Sequence, residues 1–449
     1  MKKGIIVLLI AVLVSGFAFA DLVTPGKITG SAGIEFSVDL NDKDSNAHAW
    51  GFANPRTAKY SFKFEFDSAK VAIGEDHQTD IWAELAAEAS SWISLSNATG
   101  AQAIAPAYSV KIKTANIHIG EITIGILNSG KAVDYAASYY KTAAGAPENN
   151  KLGGESQLAP GFTVDYKGWY GGFGATGDWK TEGNADDNVR TIWGHGKTQS
   201  FELADGLTAE AGGYAVIGAD KYIGGGLKVD YASDKLTAGI AGDGALKKGD
   251  VNFGLEGAIY AQYAFAEEGA VRLDIYGASK DYIPYYAEDD FLLKLDAMVS
   301  AGYKFTLSDD IVLDVNGFVD VRDIVNSALT LTVGAEESTS IDRFDLYASE
   351  AFMAIGLADA DIDPVFMLLL DFKVTYNHEK FKAWAEIEPS FLFDADENTD
   401  TFATLEFNCG ISSDAIIEGA VLKLVYKDVD FLDFENNKGN ITASCTISF

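Results

Sequence analysis

Gly172, Gly174 and Gly177 stand in the G-x-G-x-x-G spacing that lets a backbone close on a pyrophosphate at the start of a helix. Here they fall in Trp169–Trp179, which alternates like a strand, and no apolar helix follows. Gly196-Lys197-Thr198 ends like a phosphate-binding loop, but Thr191 occupies the place of its opening glycine. Asp394, Asp396, Asn398 and Asp400 offer oxygen ligands at alternate positions, as a calcium loop does. Thr399 stands where that loop turns on glycine, and Glu406 is misplaced for the closing bidentate ligand. A solvated acidic loop is the simpler reading. The five histidines (His48, His77, His118, His195 and His378) have no metal-ligand spacing and read as loop or rim residues. No Gly-x-Ser-x-Gly elbow is present. No cofactor, no resident metal and no enzymatic activity are expected.

The chemistry that remains is electrostatic. Carboxylates and cations recur at every second position of long segments. The set comprises Glu65, Glu84, Glu210, Glu256, Asp274, Asp296, Asp314, Asp320 and Glu406 with Arg272, Lys294, Lys304 and Arg322. Lys63, Lys228 and Lys423 share the same register. If these residues line a water-filled space, rings of carboxylates attract cations and repel anions. They are the candidate pore-lining residues.

What must position them is a set of strands. In Ile28–Leu40, Ile28, Gly30, Ala32, Ile34, Phe36, Val38 and Leu40 are small or apolar, and the residues between them are polar or glycine. A helix would scatter these two sets around its surface; a strand puts each on one face. Tyr60 to Phe66, Phe253 to Phe265, Val271 to Ile275, Leu293 to Leu307 and Ile311 to Val321 repeat the pattern. Tight acidic turns such as Ser233-Asp234, Glu267-Glu268-Gly269 and Ser308-Asp309-Asp310 contrast with long polar segments at 131–160, 179–200, 278–290 and 394–400. Short turns at one rim and long loops at the other describe a transmembrane barrel.

Composition agrees. Proline numbers only 8 in 449 residues, as long hydrogen-bonded strands require, because proline removes a ladder donor. Asp and Glu total 66 against 34 Lys and Arg, a formal charge of −32 that argues against nucleic acid as a partner. Two cysteines exclude a disulfide scaffold. Cys409 and Cys445 fall in apolar registers of strands separated by one other, too far apart to bridge, and read as small lipid-facing residues. Lys2, Lys3, the apolar Ile5–Val14 and Ala18-Phe19-Ala20 make residues 1–20 a cleavable export signal. The C-terminal alternation Ile441, Ala443, Cys445, Ile447 and Phe449 ends on an aromatic, like the signature read by barrel-insertion machinery.

The expected fold is all-β: a single antiparallel up-and-down barrel over residues 21–449 in the bacterial outer membrane. About 18 to 22 candidate strands are legible, and a repeat of roughly 20–24 residues per strand and connection trims them to 16–20. A plugged transporter of 22 strands is disfavoured, because strand 28–40 begins almost at the cleavage site and leaves no globular plug.

The segment Ile28–Val38, Trp50-Gly51-Phe52-Ala53-Asn54, the aromatic strand Tyr60–Phe66 and Ile81–Leu85 resemble spirochaetal outer-membrane proteins of the major outer sheath protein and Tpr type. The likeness covers about the first 90 residues. It implies a surface-exposed barrel with pore-forming and adhesion-related roles, and some relatives carry a distinct periplasmic N-terminal portion. The expected function is passive diffusion of small hydrophilic solutes with mild cation preference, the partners being membrane lipid and those solutes or cations. One alternative is a surface antigen or adhesin whose long loops bind an extracellular ligand through Tyr139, Tyr140, Trp193 and Tyr282–Tyr286. Another is a specific transporter with an aromatic track at Trp82, Tyr260, Tyr276 and Phe318. The sequence marks no face for a homo-oligomer and does not exclude one.

Overall fold

The computed structural model describes residues 23–24, 28–40, 56–72, 81–96, 103–130, 135–139, 158–177, 190–217, 221–247, 252–279, 293–308, 310–325, 329–358, 364–393, 402–433 and 438–448. Between residues 56 and 107 only backbone and register are described. The expected export signal, the calcium-like stretch 394–400, Tyr140, Tyr282–Tyr286 and the terminal Phe449 lie outside these residues.

Among the described residues there are 24 strands in one sheet. The first nine are β1 (Val23–Thr24), β2 (Ile28–Asp39), β3 (Arg56–Ala72), β4 (Ile81–Ser96), β5 (Ala103–Ile119), β6 (Ile122–Gly130), β7 (Leu158–Tyr166), β8 (Trp169–Gly177) and β9 (Arg190–Lys197). Then come β10 (Phe201–Ala204), β11 (Leu207–Ile217), β12 (Lys221–Ala232), β13 (Leu236–Lys247), β14 (Asn252–Ala266), β15 (Gly269–Ser279), β16 (Leu293–Ser308) and β17 (Ile311–Arg322). The last are β18 (Thr330–Ile341), β19 (Phe344–Ile355), β20 (Val365–His378), β21 (Phe381–Phe393), β22 (Phe402–Ile417), β23 (Ala420–Asp428) and β24 (Asn440–Ser448). One four-residue helix, α1 (Ala136–Tyr139), interrupts them.

From β2 onward each strand pairs antiparallel with the next, except that β9 and β10 both pair with β11, and the last strand closes on β2. Ser31 of β2 lies opposite Ser448 of β24, and the register runs to Asp39 opposite Asn440. Closure leaves no edge, which is how a sheet satisfies its backbone donors and acceptors in lipid. β1 continues the line of β2 along β3, and β9 and β10 lie end to end along β11. The wall therefore has 22 staves, an even number and more than the trimmed expectation of 16 to 20. The difference comes from the stretch β6 to β9, whose strands are eight or nine residues long, with two-residue turns inside β5–β6 and β7–β8. The long loop expected at 179–200 is one casualty: Arg190–Lys197 is strand β9, disguised by Gly194 and Gly196 in its outward register.

The turns sort as expected. Lys167-Gly168 joins β7 to β8 with φ of 51° and 83°, the left-handed pair that a two-residue hairpin needs. In the Ser233-Asp234 turn the Ser233 hydroxyl accepts the Leu236 amide at 3.1 Å. The wide gaps lie at the opposite rim, including those after β6, β8, β15 and β21.

Side chains follow the period of two. On β14, Phe253, Leu255, Ile259, Tyr263 and Phe265 are exposed on the outside of the wall, while Glu256 and Ala258 between them are buried inside. On β16, Leu293, Val299, Phe305 and Leu307 face out, whereas Lys294, Asp296 and Met298 face in and are buried. A sandwich would reverse this. The chain is thus an antiparallel transmembrane β-barrel of the outer-membrane type, apolar toward lipid and polar within. Cys409 and Cys445 are unpaired and share the outward register, with β23 between their strands.

The outward band makes a quantitative prediction. Val299→Lys, near the middle of β16, is expected to lower unfolding stability in vesicles by about 2–4 kcal/mol, and Ser300→Lys, one residue on and facing in, by far less. Urea titration of the refolded barrel in lipid measures both.

Candidate functional site

The inner wall has a dent. Across β12 to β15 the inward register carries Gly226, Gly239, Ala241, Ala258 and Ala278, which are opposite or diagonal neighbours in the pairing. A Cβ at Gly226 would overlap the carboxylate of Asp243, and one at Gly239 would meet the Tyr260 ring at 2.5 Å. Polar groups ring the dent: Glu210 on β11, Lys228 and Asp230 on β12, Asp243 on β13, Glu256 and Tyr260 on β14, and Arg272 and Tyr276 on β15.

The segment Tyr135–Tyr139 fills it. This stretch belongs to the long β6–β7 connection, yet it packs on β13, β14 and β15 inside the barrel. Ala136 is wholly buried against Ala241 and Ala258, and Tyr135 and Tyr139 are buried beside it. Asp243 Oδ2 accepts the backbone amides of Tyr135 at 2.8 Å and Ala136 at 2.7 Å. The Tyr135 hydroxyl donates to Glu210 at 2.9 Å, and the Tyr139 hydroxyl to Asp230 at 2.5 Å. Arg272 closes the seat: its Nη2 donates to the Tyr139 carbonyl at 2.9 Å, and its guanidinium lies 4.3 Å over the Tyr260 ring. Burial, and then the adjoining carboxylates, push both phenols far above their ordinary pKa, so each remains a donor. Two amides on one buried carboxylate, two phenol bonds and one guanidinium make a fixed attachment, because each group would be left unsatisfied if the segment lifted away.

Glu210, Glu256, Asp274, Asp296, Asp314, Asp320, Glu406, Arg272, Lys294, Lys304 and Arg322 all stand in the inward register. Glu65 and Glu84 occupy β3 and β4, opposite Glu88 and Lys70 respectively. The inward groups divide into two kinds. Asp274, Asp296 and Asp320 are fully buried: Arg272 grips Asp274 through Nε and Nη2 at 2.8 and 2.6 Å, Lys294 lies 3.5 Å from Asp296, and Arg322 donates to Asp320 at 2.9 Å. These pairs hold wall and segment and offer little charge to a passing ion. Asp314, Lys304 and Glu406 keep contact with the lumen, Lys304 pairing with Asp314 at 3.4 Å and Lys427 with Glu406 at 2.5 Å.

Sequence reasoning missed a second acidic group on β20 and β21. Carboxylate oxygens of Asp371, Glu386 and Glu388 lie within 4.8 Å of one another, with Glu406 opposite Glu388. Lys373 pairs with Glu386 at 2.6 Å and Asn408 donates to it at 3.1 Å. Asp371 was illegible because Val365–Leu370 is apolar on both faces and gives no register. The dent was missed too, although the small residues recurring in one register of four successive strands are its signal.

Three expectations need correction. Tyr139 and Trp193 are not loop aromatics facing outward: Tyr139 sits in the lumen, and Trp193 is buried on β9 against Gly174, whose Cβ would meet its ring at 2.5 Å. His195 is not a rim residue but stacks 5.1 Å from Trp193 and lies over Gly172; the two rings account for Gly172 and Gly174, two of the three glycines of the nucleotide-like spacing. The aromatic track is not open. Tyr276 is sealed beneath α1 with its hydroxyl on Glu256 at 2.7 Å, and Phe318 is buried over Gly334.

No protein-family model matches the chain, and no curated protein does. Solved structures do. A ferric enterobactin receptor mutant from Pseudomonas aeruginosa, crystallised with enterobactin, aligns over 94% of this chain and 82% of its own at 9% identity with a TM-score of 0.53. OccK5 (OpdH) of the same organism covers 95% and 98% at 8% identity with a TM-score of 0.42, and Acinetobacter baumannii OccAB4 covers 95% and 99% at 10% identity with 0.39. At such identities the likeness to the receptor is one of fold: a closed outer-membrane barrel.

The seat predicts its own test. Asp243→Ala removes the acceptor of two amides and is expected to release the segment and raise single-channel conductance in planar bilayers. Asp243→Asn, which keeps one acceptor oxygen, is expected to have the smaller effect.

Proposed function

We propose that this barrel is a passive diffusion channel for small hydrophilic solutes, narrowed on one side by the Tyr135–Tyr139 segment and mildly selective for cations. The observation that carries the reading is the unequal state of the inward charges. On the β11 to β17 side Asp243, Glu256, Asp274, Asp296 and Asp320 are tied into buried ion pairs and hydrogen bonds, and Lys304 and Asp314, which reach the lumen, neutralise each other. On the β20 to β23 side, Asp371, Glu386, Glu388 and Glu406 cluster beside Lys373 and Lys427, each of which is committed to one carboxylate. Counted from β18 to β23, the inward register holds six acids, with Glu336 and Asp345 added to these four, against four lysines, Lys373, Lys382, Lys423 and Lys427, which leaves a negative balance along that wall. A narrow aqueous path bounded by protein concentrates the field of such a patch and enriches cations there.

The reading of an unspecific passage is supported by the described residues, among which no apolar pocket with convergent polar groups stands free in the lumen. The aromatic side chains Tyr139, Tyr260 and Tyr276, which would otherwise make a binding track, are consumed in seating the segment.

Reversal potentials across planar bilayers in a potassium chloride gradient test this. The expected sign is that of cation preference, and Asp371→Asn with Glu388→Gln is expected to move the potential toward zero while conductance persists. Anion preference, or no channel, contradicts the proposal.

A further inference from the structure

Away from the strand ends, the lipid-facing register is uncharged along the strands whose side chains are described, except at one place. On β18 it reads Leu331, Val333, Ala335, Glu337, Thr339 and Ile341; on β19 it reads Phe344, Leu346, Ala348, Glu350, Phe352 and Ala354. Glu337 and Glu350 are the eighth of twelve and seventh of twelve residues of their strands, so neither is a rim residue. Val333, Ile341, Phe344, Leu346 and Phe352 around them are exposed as in the rest of the band. Glu337 lies opposite Ala348, and Glu350 opposite Ala335, which places the two carboxyl groups on one diagonal, about 7–8 Å between backbone positions. Across the next strand Gly317 faces Ala335. The patch is two acids on a floor of alanine and glycine.

An ionised carboxylate against acyl chains is unfavourable, and ionisable residues at that depth mark a place where something other than lipid makes contact. The partner must offer hydrogen-bond donors and acceptors at the same height. A carboxylic acid offers both when protonated. A two-fold axis through the patch therefore supplies what each acid lacks from an identical residue, with no cation needed; isologous contacts are self-complementary in this way. The described part of the outward band holds no lysine or arginine in mid-strand that could serve instead in another register. The small floor lets two walls approach closely enough for short side chains to meet.

We infer that the β18–β19 face is the contact through which two copies of this barrel associate side by side, with Glu337 and Glu350 of each copy hydrogen-bonding across a two-fold axis. The pore of each copy is separate from this contact, so the inference stands apart from the channel reading.

The test is the oligomeric state of the refolded barrel in lipid nanodiscs and mild detergent, read by native mass spectrometry. The wild type is expected to be dimeric. Glu337→Leu with Glu350→Leu is expected to give monomers that keep wild-type conductance, and Glu337→Gln with Glu350→Gln, which retains donor and acceptor, is expected to keep the dimer. Should the leucine variant fold poorly, disulfide trapping settles the geometry: in a chain carrying Cys409→Ala and Cys445→Ala, Ala348→Cys is expected to cross-link two copies on oxidation, and Ile259→Cys, on β14, is not. A monomeric wild type, a dimer indifferent to the leucine pair, or equal cross-linking at both positions overturns the inference. Loss of conductance in a dimeric wild type would count against the channel and not against the contact.

Discussion

Every backbone amide and carbonyl that enters lipid must find its partner within the sheet, and that demand governs this molecule. The pairing of Ile34 with Cys445 and Phe36 with Ala443 meets it at the seam, where the first long strand accepts the last. With no edge left, each strand has one face on acyl chains and one on the interior, and the sequence must alternate or leave charges in oil. The exposed Leu255 and Ile259 beside the buried Glu256 show that rule in five consecutive residues.

Closure also creates the space in which polar chemistry is inexpensive. A ring of 22 staves is wide, and a wide lumen needs filling or lining. This chain does part of that by removing side chains from the wall, as at Gly226, Gly239, Ala241 and Ala258, and laying a piece of its own connection in the gap. Asp243 is the pivot of that arrangement because one buried carboxylate serves two amides. The remaining lumen is asymmetric: one side is spent on holding the segment, and the other keeps unbalanced acids facing water.

Architecture was the legible part. Alternation survives in any strand with one oily and one wet face, so β14, β16 and β17 could be bounded from sequence almost to the residue. Legibility failed where that contrast weakens. Glycines in the outward register hid β9, and the doubly apolar Val365–Leu370 hid the phase of Asp371. The inward segment was invisible for a different reason: Tyr135 and Tyr139 carry no periodic signal, and their contacts lie about a hundred residues away, as with Asp243. Aromatic and polar content therefore read as a surface loop. The inward register of charges could be read, but not which of them are sealed, since Asp296 and Asp314 look alike until their neighbours are placed.

Depth profiling of β16 in liposomes tests the central claim most directly. Nitroxide labels placed singly from residue 293 to residue 307 report collision with oxygen, which dissolves in lipid, and with a water-soluble nickel chelate. The account predicts that the two accessibilities alternate with a period of two and in opposite phase, oxygen highest at odd positions such as 295, 297 and 299. Uniform accessibility along the strand, or nickel highest at the odd positions, would contradict a barrel that turns its apolar face to the membrane.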